Sequence, residues 1–205
     1  MQQVRKRTEY LGPTEHTEYE TLRAGLGFTL THGNRVLFTG VGDGAEAGEC
    51  ALKTAAAFSE IGKRVIYVEA DFRTPGAISD FQAEEKLYGL THYLAGLKPV
   101  RDCILKTETE GLHILFSGVL PPNPAELLST EKFRSLLKVL GSLYDYVFVS
   151  APSDGRFIDA ALAGSVCDGT VTVVKAGEAD GPGLDRVLRE LELSKCTPIG
   201  VVLRK

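Results

Sequence analysis

The sequence has no CxxC pair, no run of about 18 apolar residues and no signal-peptide pattern at its start. Its cysteines, Cys50, Cys103, Cys167 and Cys196, are far apart and sit in helix-like or strand-like contexts. That excludes a CxxC metal or redox motif and predicts buried free thiols in a reducing compartment. The short apolar runs predict no membrane-spanning helix, and the cytoplasm is the expected location. A basic surface is also lacking, since the net charge is −4, so nucleic acid is not an expected partner. Arg5-Lys6-Arg7 is followed at once by acidic residues and reads as a solvated tail rather than a membrane patch. The histidines, His16, His32, His92 and His113, share no ligand spacing and are expected as surface or packing residues. There is no internal repeat and no low-complexity segment.

What is present suits a globular protein. The 205 residues are 43% hydrophobic and 24% charged, enough for one domain with its own core. Residues 1–16 are polar and predict a flexible N-terminal segment, leaving 17–205 as the domain. Short runs rich in β-branched and aromatic residues predict strands at 35–39, 64–70, 112–117, 146–150, 170–175 and 199–203. Several are apolar throughout, as in strands buried on both faces of a parallel sheet. Helical spacing marks 17–28, 46–61, 131–143 and 184–193, with Gly62 as a stop. Strands alternating with helices predict an α/β, three-layer, doubly wound, mostly parallel sheet with helices on both faces. Ligands of such folds bind beyond the carboxyl ends of the strands. The stretch "TGVGDGAEAGEC" (39–50) lies there, between a strand and a helix, where a phosphate loop belongs. Yet no lysine occurs between Arg35 and Lys53, and two glutamates stand in the loop.

Five segments occur in a telling order: "EYETLRAGLGF", "GKRVIYVEADFRTPG", "GLTHYLAG", "GLHILFSGVLPPNPAELL" and "YDYVFVSAPSD". Together they resemble the bacterial tyrosine kinases (BY-kinases) and related ATPase domains of capsule and exopolysaccharide export, over roughly residues 17 to 203. "PPNPAELL" (121–128) and "EADFRTP" (69–75) are the most specific pieces. The resemblance implies a P-loop NTPase-like fold, ATP and Mg²⁺ as cofactors, and a first loop like G-x-G-K-[ST]-[ST]. In such a loop glycines admit backbone N–H groups to phosphate, the lysine neutralises charge and the hydroxyl binds Mg²⁺.

The matching positions depart from that pattern. Counting back from Gly62, the vestigial loop comprises Gly42, Gly44, Glu46, Ala47, Gly48 and Glu49. Gly44 and Glu46 fall on the two glycines, Ala47 on the lysine, Gly48 on the serine or threonine, and Glu49 on the next threonine. Glu69 replaces the first aspartate of the second motif, while Asp71 and Arg73 match. Ser150 replaces the aspartate of the third motif. A carboxylate about 4 Å from a phosphate charge costs on the order of 4 kcal/mol at an effective dielectric near 20. Each 1.4 kcal/mol is about tenfold in affinity. The expectation is therefore no cofactor and a vestigial set, Ala47, Gly48, Glu69, Asp71 and Ser150, in place of catalytic residues.

Two readings of the loop glutamates stay open. A carboxylate of Glu46 or Glu49 occupies the phosphate position as a built-in anion, or both point to solvent and favour the helix dipole from there. A metal reading uses Glu46, Glu49, Glu69 and Asp71 as carboxylate ligands without nucleotide, against the expectation of no metal.

The resemblance also bears on partners. The family's ring-forming helix carries E-x-x-R-x-x-R, here Thr17, Glu20 and Arg23, so Glu20 and Arg23 are the candidate partner-binding residues, with docking on the domain's own core as the competing reading. The last tyrosine is Tyr146, so the family's tyrosine-rich substrate tail is not expected within these residues. The functional expectation is a pseudokinase serving as a binding or regulatory module in exopolysaccharide synthesis or export. Its expected partner is the cytoplasmic segment of a membrane polysaccharide co-polymerase, at the inner face of the plasma membrane. Further partners are a homo-oligomer or an active kinase homologue. The alternatives are a divergent but active ATPase or tyrosine kinase of that pathway, and a relative of the MinD/ParA-type ATPases.

Overall fold

A computed structural model describes residues 1–6, 9–12, 15–42, 45–82, 87–153 and 158–204. Its main sheet has seven strands: β2 (Arg35–Gly40), β3 (Val65–Glu69), β5 (Leu105–Lys106), β6 (Leu112–Leu115), β7 (Tyr146–Ser150), β8 (Gly169–Lys175) and β9 (Pro198–Arg204). Their order is β5-β6-β3-β7-β2-β8-β9. All neighbours run parallel except β5, a two-residue antiparallel edge. The chain passes from β2 to β3 over β7, leaving a crevice above the carboxyl ends of these three central strands.

Both faces of the sheet are covered, and strand alternation sorts the side chains. Val36, Phe38, Val65, Tyr67 and Phe148 join one core with α1 (Glu15–Thr29) and α2 (Ala47–Ser59). Leu37, Ile66, Val68, Val147 and Val149 join the other with α3 (Leu90–Leu94), α4 (Val100–Cys103), α5 (Pro124–Leu128), α6 (Glu131–Leu143) and α7 (Asp159–Gly164). Successive strand residues are thus buried on opposite faces, the physical reason for continuous apolar runs in place of alternation. The predicted α/β doubly wound architecture is the one observed.

α2 is buried from Cys50 to Ser59, because the sheet covers one side and α1 the other. Alanine at 51, 55, 56 and 57 allows that close approach, and Gly62 (φ 79) turns the chain out of the helix. α6 has the predicted bounds, with Phe133, Leu136, Leu137 and Leu140 inward, and Thr130 capping it by accepting from the Phe133 N–H at 3.2 Å.

The N-terminal segment departs from expectation. β1 (Arg5–Lys6) pairs antiparallel with β4 (Phe81–Gln82), the Val4 N–H donates to the Lys106 carbonyl at 2.8 Å, and α1 begins at Glu15. Val4, Tyr10 and Leu11 are buried. The polar average of residues 1–16 hides these few apolar residues, which cover the short β5 edge and join the α2-side core. Cys50, Cys103 and Cys196 are buried free thiols, and Cys167 is half-buried. No described helix is long and apolar enough to cross a membrane.

Candidate functional site

The loop after β2 leads directly into α2. Gly40 is required by packing, since a Cβ there would lie 2.4 Å from that of Ala45. Gly42 has φ 74. Gly44 lies outside the described residues. Glu46 caps α2 in the left-handed region (φ 50, ψ 42), where glycine is usual, and its side chain makes no cap hydrogen bond. The residue matched to the second family glycine is thus a glutamate held in a conformation that glycine adopts more readily.

Above the strand ends lies a cavity of about 360 Å³. Loop residues Glu46, Ala47, Gly48 and Glu49 form one wall, and Tyr67, Glu69, Asp71 and Ser150 form the floor. Arg73, Asp80 and Lys6 also line it. The predicted positions are therefore brought together, but most are engaged with one another or with residues from elsewhere in the chain.

The loop glutamates face cations. Arg204, near the end of β9, places Nη1 2.6 Å from Glu46 Oε2 and 3.1 Å from Glu49 Oε2. Lys53, one and a half turns along α2, lies 2.7 Å from Glu49 Oε1 and 2.5 Å from Glu15 Oε1. Burial alone would raise the Glu49 carboxyl; the bonds from Lys53 and Arg204 outweigh it and hold the group below the usual carboxylate range. The same partners raise Lys53 and Arg204 against the effect of burial. The built-in-anion reading finds no support among the described residues, where no backbone amide donates to either carboxylate. The solvent-pointing reading needs amendment too, because both glutamates are bridged by Arg204.

Glu69 is 2% exposed and saturated. Its Oε1 accepts from the N–H groups of Gly76 (3.1 Å) and Ala77 (3.0 Å), and its Oε2 from the Ser117 N–H (3.1 Å) and hydroxyl (2.9 Å). Burial raises its pKa against the pull of these donors. Asp71 accepts from the Arg73 and Thr74 N–H groups at 2.9 Å each and from the Thr74 hydroxyl at 3.0 Å, shaping the turn. Arg73 Nε lies 2.5 Å from Asp159 of α7, which is wholly buried. Ser150 exchanges a 2.8 Å hydrogen bond with the Tyr67 hydroxyl. The four carboxylates of the metal reading are thus each committed, and no group of three or more His, Cys, Asp or Glu among the described residues is placed to hold a metal.

Two positions that the resemblance matches to a magnesium-nucleotide loop carry other chemistry. The position matched to the loop lysine is a fully buried methyl, Ala47. The position matched to the metal-binding hydroxyl is Gly48, and a Cβ there would already lie 3.3 Å from the Tyr67 hydroxyl.

Glu20 is exposed, whereas Arg23 donates to the Ala57 carbonyl at 2.8 Å and ties α1 to α2. The helix thus docks on the domain's own core through Arg23. Sequence reasoning missed Lys6, Lys53, Tyr67, Asp159 and Arg204. The signal for Tyr67 was a hydroxyl in an otherwise apolar strand, which needs a buried partner. Lys6, read as part of a solvated tail, is instead 8% exposed, its ammonium 4.7 Å over the Tyr10 ring and 3.4 Å from the Glu9 carbonyl. Burial lowers its pKa.

No family model matches the chain. It is 27% identical over all 205 residues to the tyrosine-protein kinase CpsD of Streptococcus agalactiae, covering 86% of that protein. It is 28% identical to the tyrosine-protein kinase YwqD of Bacillus subtilis, over 91% of this chain and 79% of that one. The kinase domain of the Escherichia coli tyrosine kinase ETK superposes with a TM-score of 0.87 and 26% identity, over 92% of this chain and 74% of the other.

Proposed function

We propose, for a chain that is a homologue of the bacterial tyrosine kinases and has their P-loop fold, that it acts as a catalytically degenerate, kinase-like regulatory module of capsule or exopolysaccharide synthesis. It works by binding. Its partner is the cytoplasmic segment of a membrane polysaccharide co-polymerase, which holds it at the inner face of the plasma membrane. The observation that carries this reading is the state of the loop: Ala47 is buried where a lysine is needed, and Glu46 and Glu49 face Arg204 and Lys53. Phosphoryl transfer depends on charge stabilisation and positioning, and here Lys53, Arg73 and Arg204 are paired with the protein's own carboxylates.

A second reading, an active ATPase or tyrosine kinase of the same pathway, is favoured by one feature. Lys6 and Arg73 both line the cavity, and Lys6 is a buried cation supplied from β1, outside the loop. Against it stands the acidic excess of the walls, where Glu46, Glu49, Glu69, Asp71 and Asp80 outnumber Lys6 and Arg73.

Calorimetry with ATP and ADP, each with Mg²⁺, separates the two. The first reading expects no binding up to about millimolar nucleotide, roughly 4 kcal/mol of affinity, together with capture of the chain by co-polymerase cytoplasmic segments. Micromolar binding rules out the first and favours the second.

A further inference from the structure

We infer that the hydroxyl of Tyr67 fills the place where a divalent cation would be held, so that positions 48, 67 and 150 have been rebuilt together as closed core that excludes a metal–nucleotide complex. The inference rests on the degenerate reading above and names the residue that enforces it. A cation bridged by a side chain on the first turn of α2 and one at the end of β7 must lie between positions 48 and 150. That space contains the Tyr67 phenolic oxygen. It is 2.8 Å from Ser150 Oγ and 3.3 Å from where a Cβ on Gly48 would be, and that Cβ would be 3.7 Å from Ser150 Oγ. Tyr67 is 0% exposed and Ser150 1%.

Each of the three positions suits the other two. Tyr67 reaches up from β3 on the α2 side, its ring within the core shared by Phe38, Ala51 and Phe148. Glycine at 48 spares the hydroxyl a tight contact, since a Cβ there would stand 3.3 Å away, and Ser150 gives that hydroxyl its partner. Mg²⁺ requires oxygen ligands at about 2.0–2.1 Å in near-octahedral array, which cannot coexist with an oxygen already seated between its two anchoring positions. The phenolic oxygen is instead engaged with Ser150 Oγ at 2.8 Å, and burial raises its pKa well above the ordinary value. Nor does the adjacent carboxylate help, since Glu69 spends both oxygens on Gly76, Ala77 and Ser117.

The test restores the other positions and varies this one. The chain carrying Ala47→Lys, Gly48→Ser, Glu49→Thr and Ser150→Asp is compared with the same chain carrying Tyr67→Phe as well, which keeps the ring, and with one carrying Tyr67→Leu. ADP is titrated by calorimetry with Mg²⁺ and with EDTA, and near-ultraviolet circular dichroism checks the fold. Mg²⁺ is expected to tighten ADP by at least about tenfold in the two Tyr67-substituted proteins and by less than about twofold when Tyr67 is kept. Equal tightening in all three, or in none, overturns the inference. The unaltered chain is titrated alongside: micromolar binding there overturns the proposed function, whereas this inference is decided by the Mg²⁺ dependence among the variants.

Discussion

Arg204 Nη1 and Glu46 Oε2 lie 2.6 Å apart, joining the end of the edge strand β9 to the residue that caps α2. Glu46 is also one of two described non-glycine residues with positive φ, so the pair holds a backbone position that costs on the order of 1 kcal/mol. With side-chain exposures of 24% and 54%, the ion pair itself contributes less than about 1 kcal/mol. Arg204→Ala is expected to lower stability by about 1 kcal/mol, counting the bond to Glu49, and less at high salt. In that background Glu46→Gly is expected to recover about 0.5–1 kcal/mol by relieving the strained φ. Urea denaturation at two salt concentrations measures both.

The buried hydroxyl pair makes a separate prediction. Tyr67→Phe leaves Ser150 without its partner, and a buried orphan of this kind costs about 1–3 kcal/mol. The double variant Tyr67→Phe with Ser150→Ala removes both ends and is expected to be more stable than the single one. The urea midpoint of each variant checks the order.

Asp159 is wholly buried and holds Arg73 at 2.5 Å, fixing the turn after β3 against α7. Asp159→Ala is expected to cost about 2–3 kcal/mol, toward the low side for a broken buried pair because Arg73 is 29% exposed. A fall of several degrees in melting temperature is the corresponding readout.

The acid side of the stability profile follows from three carboxyls. Burial alone would raise Glu15, Glu49 and Asp168, but bonds from Lys53 to Glu15, from Lys53 and Arg204 to Glu49, and from Arg35 to Asp168 bring all three below their ordinary values of 4.5, 4.5 and 3.8. A carboxyl depressed in the folded state contributes stability above its unfolded pKa, and the contribution is lost as pH falls through the folded value. Melting temperature is therefore expected to drop as pH is lowered from about 5. Asp168→Asn is expected to lower stability near neutrality and to flatten that acid dependence. Thermal melts between about pH 3 and 7 test the sign.

The strand runs at 35–39 and 146–150, and the helix at 131–143, could be read from sequence because burial on both sheet faces, or on one helix face, imposes a local pattern. So could the lack of a lysine between Arg35 and Lys53, because residue identity needs no fold to be read. The N-terminal strand could not: Val4, Lys6, Tyr10 and Leu11 carry no period, and only β4 and the edge at β5, both far along the chain, give the segment a place.

The sequence by itself determined the layered α/β architecture, the location of the loop and the absence of its lysine, all of which follow from local periodicity and residue identity. Tertiary structure alone decided what the remaining groups do. Glu46 meets Arg204 across 158 positions of chain, Tyr67 meets Ser150 across 83 and Arg73 meets Asp159 across 86. Such pairings depend on parallel strand order and crossover connections, which bring distant residues to the same end of the sheet and leave no trace in spacing along the chain.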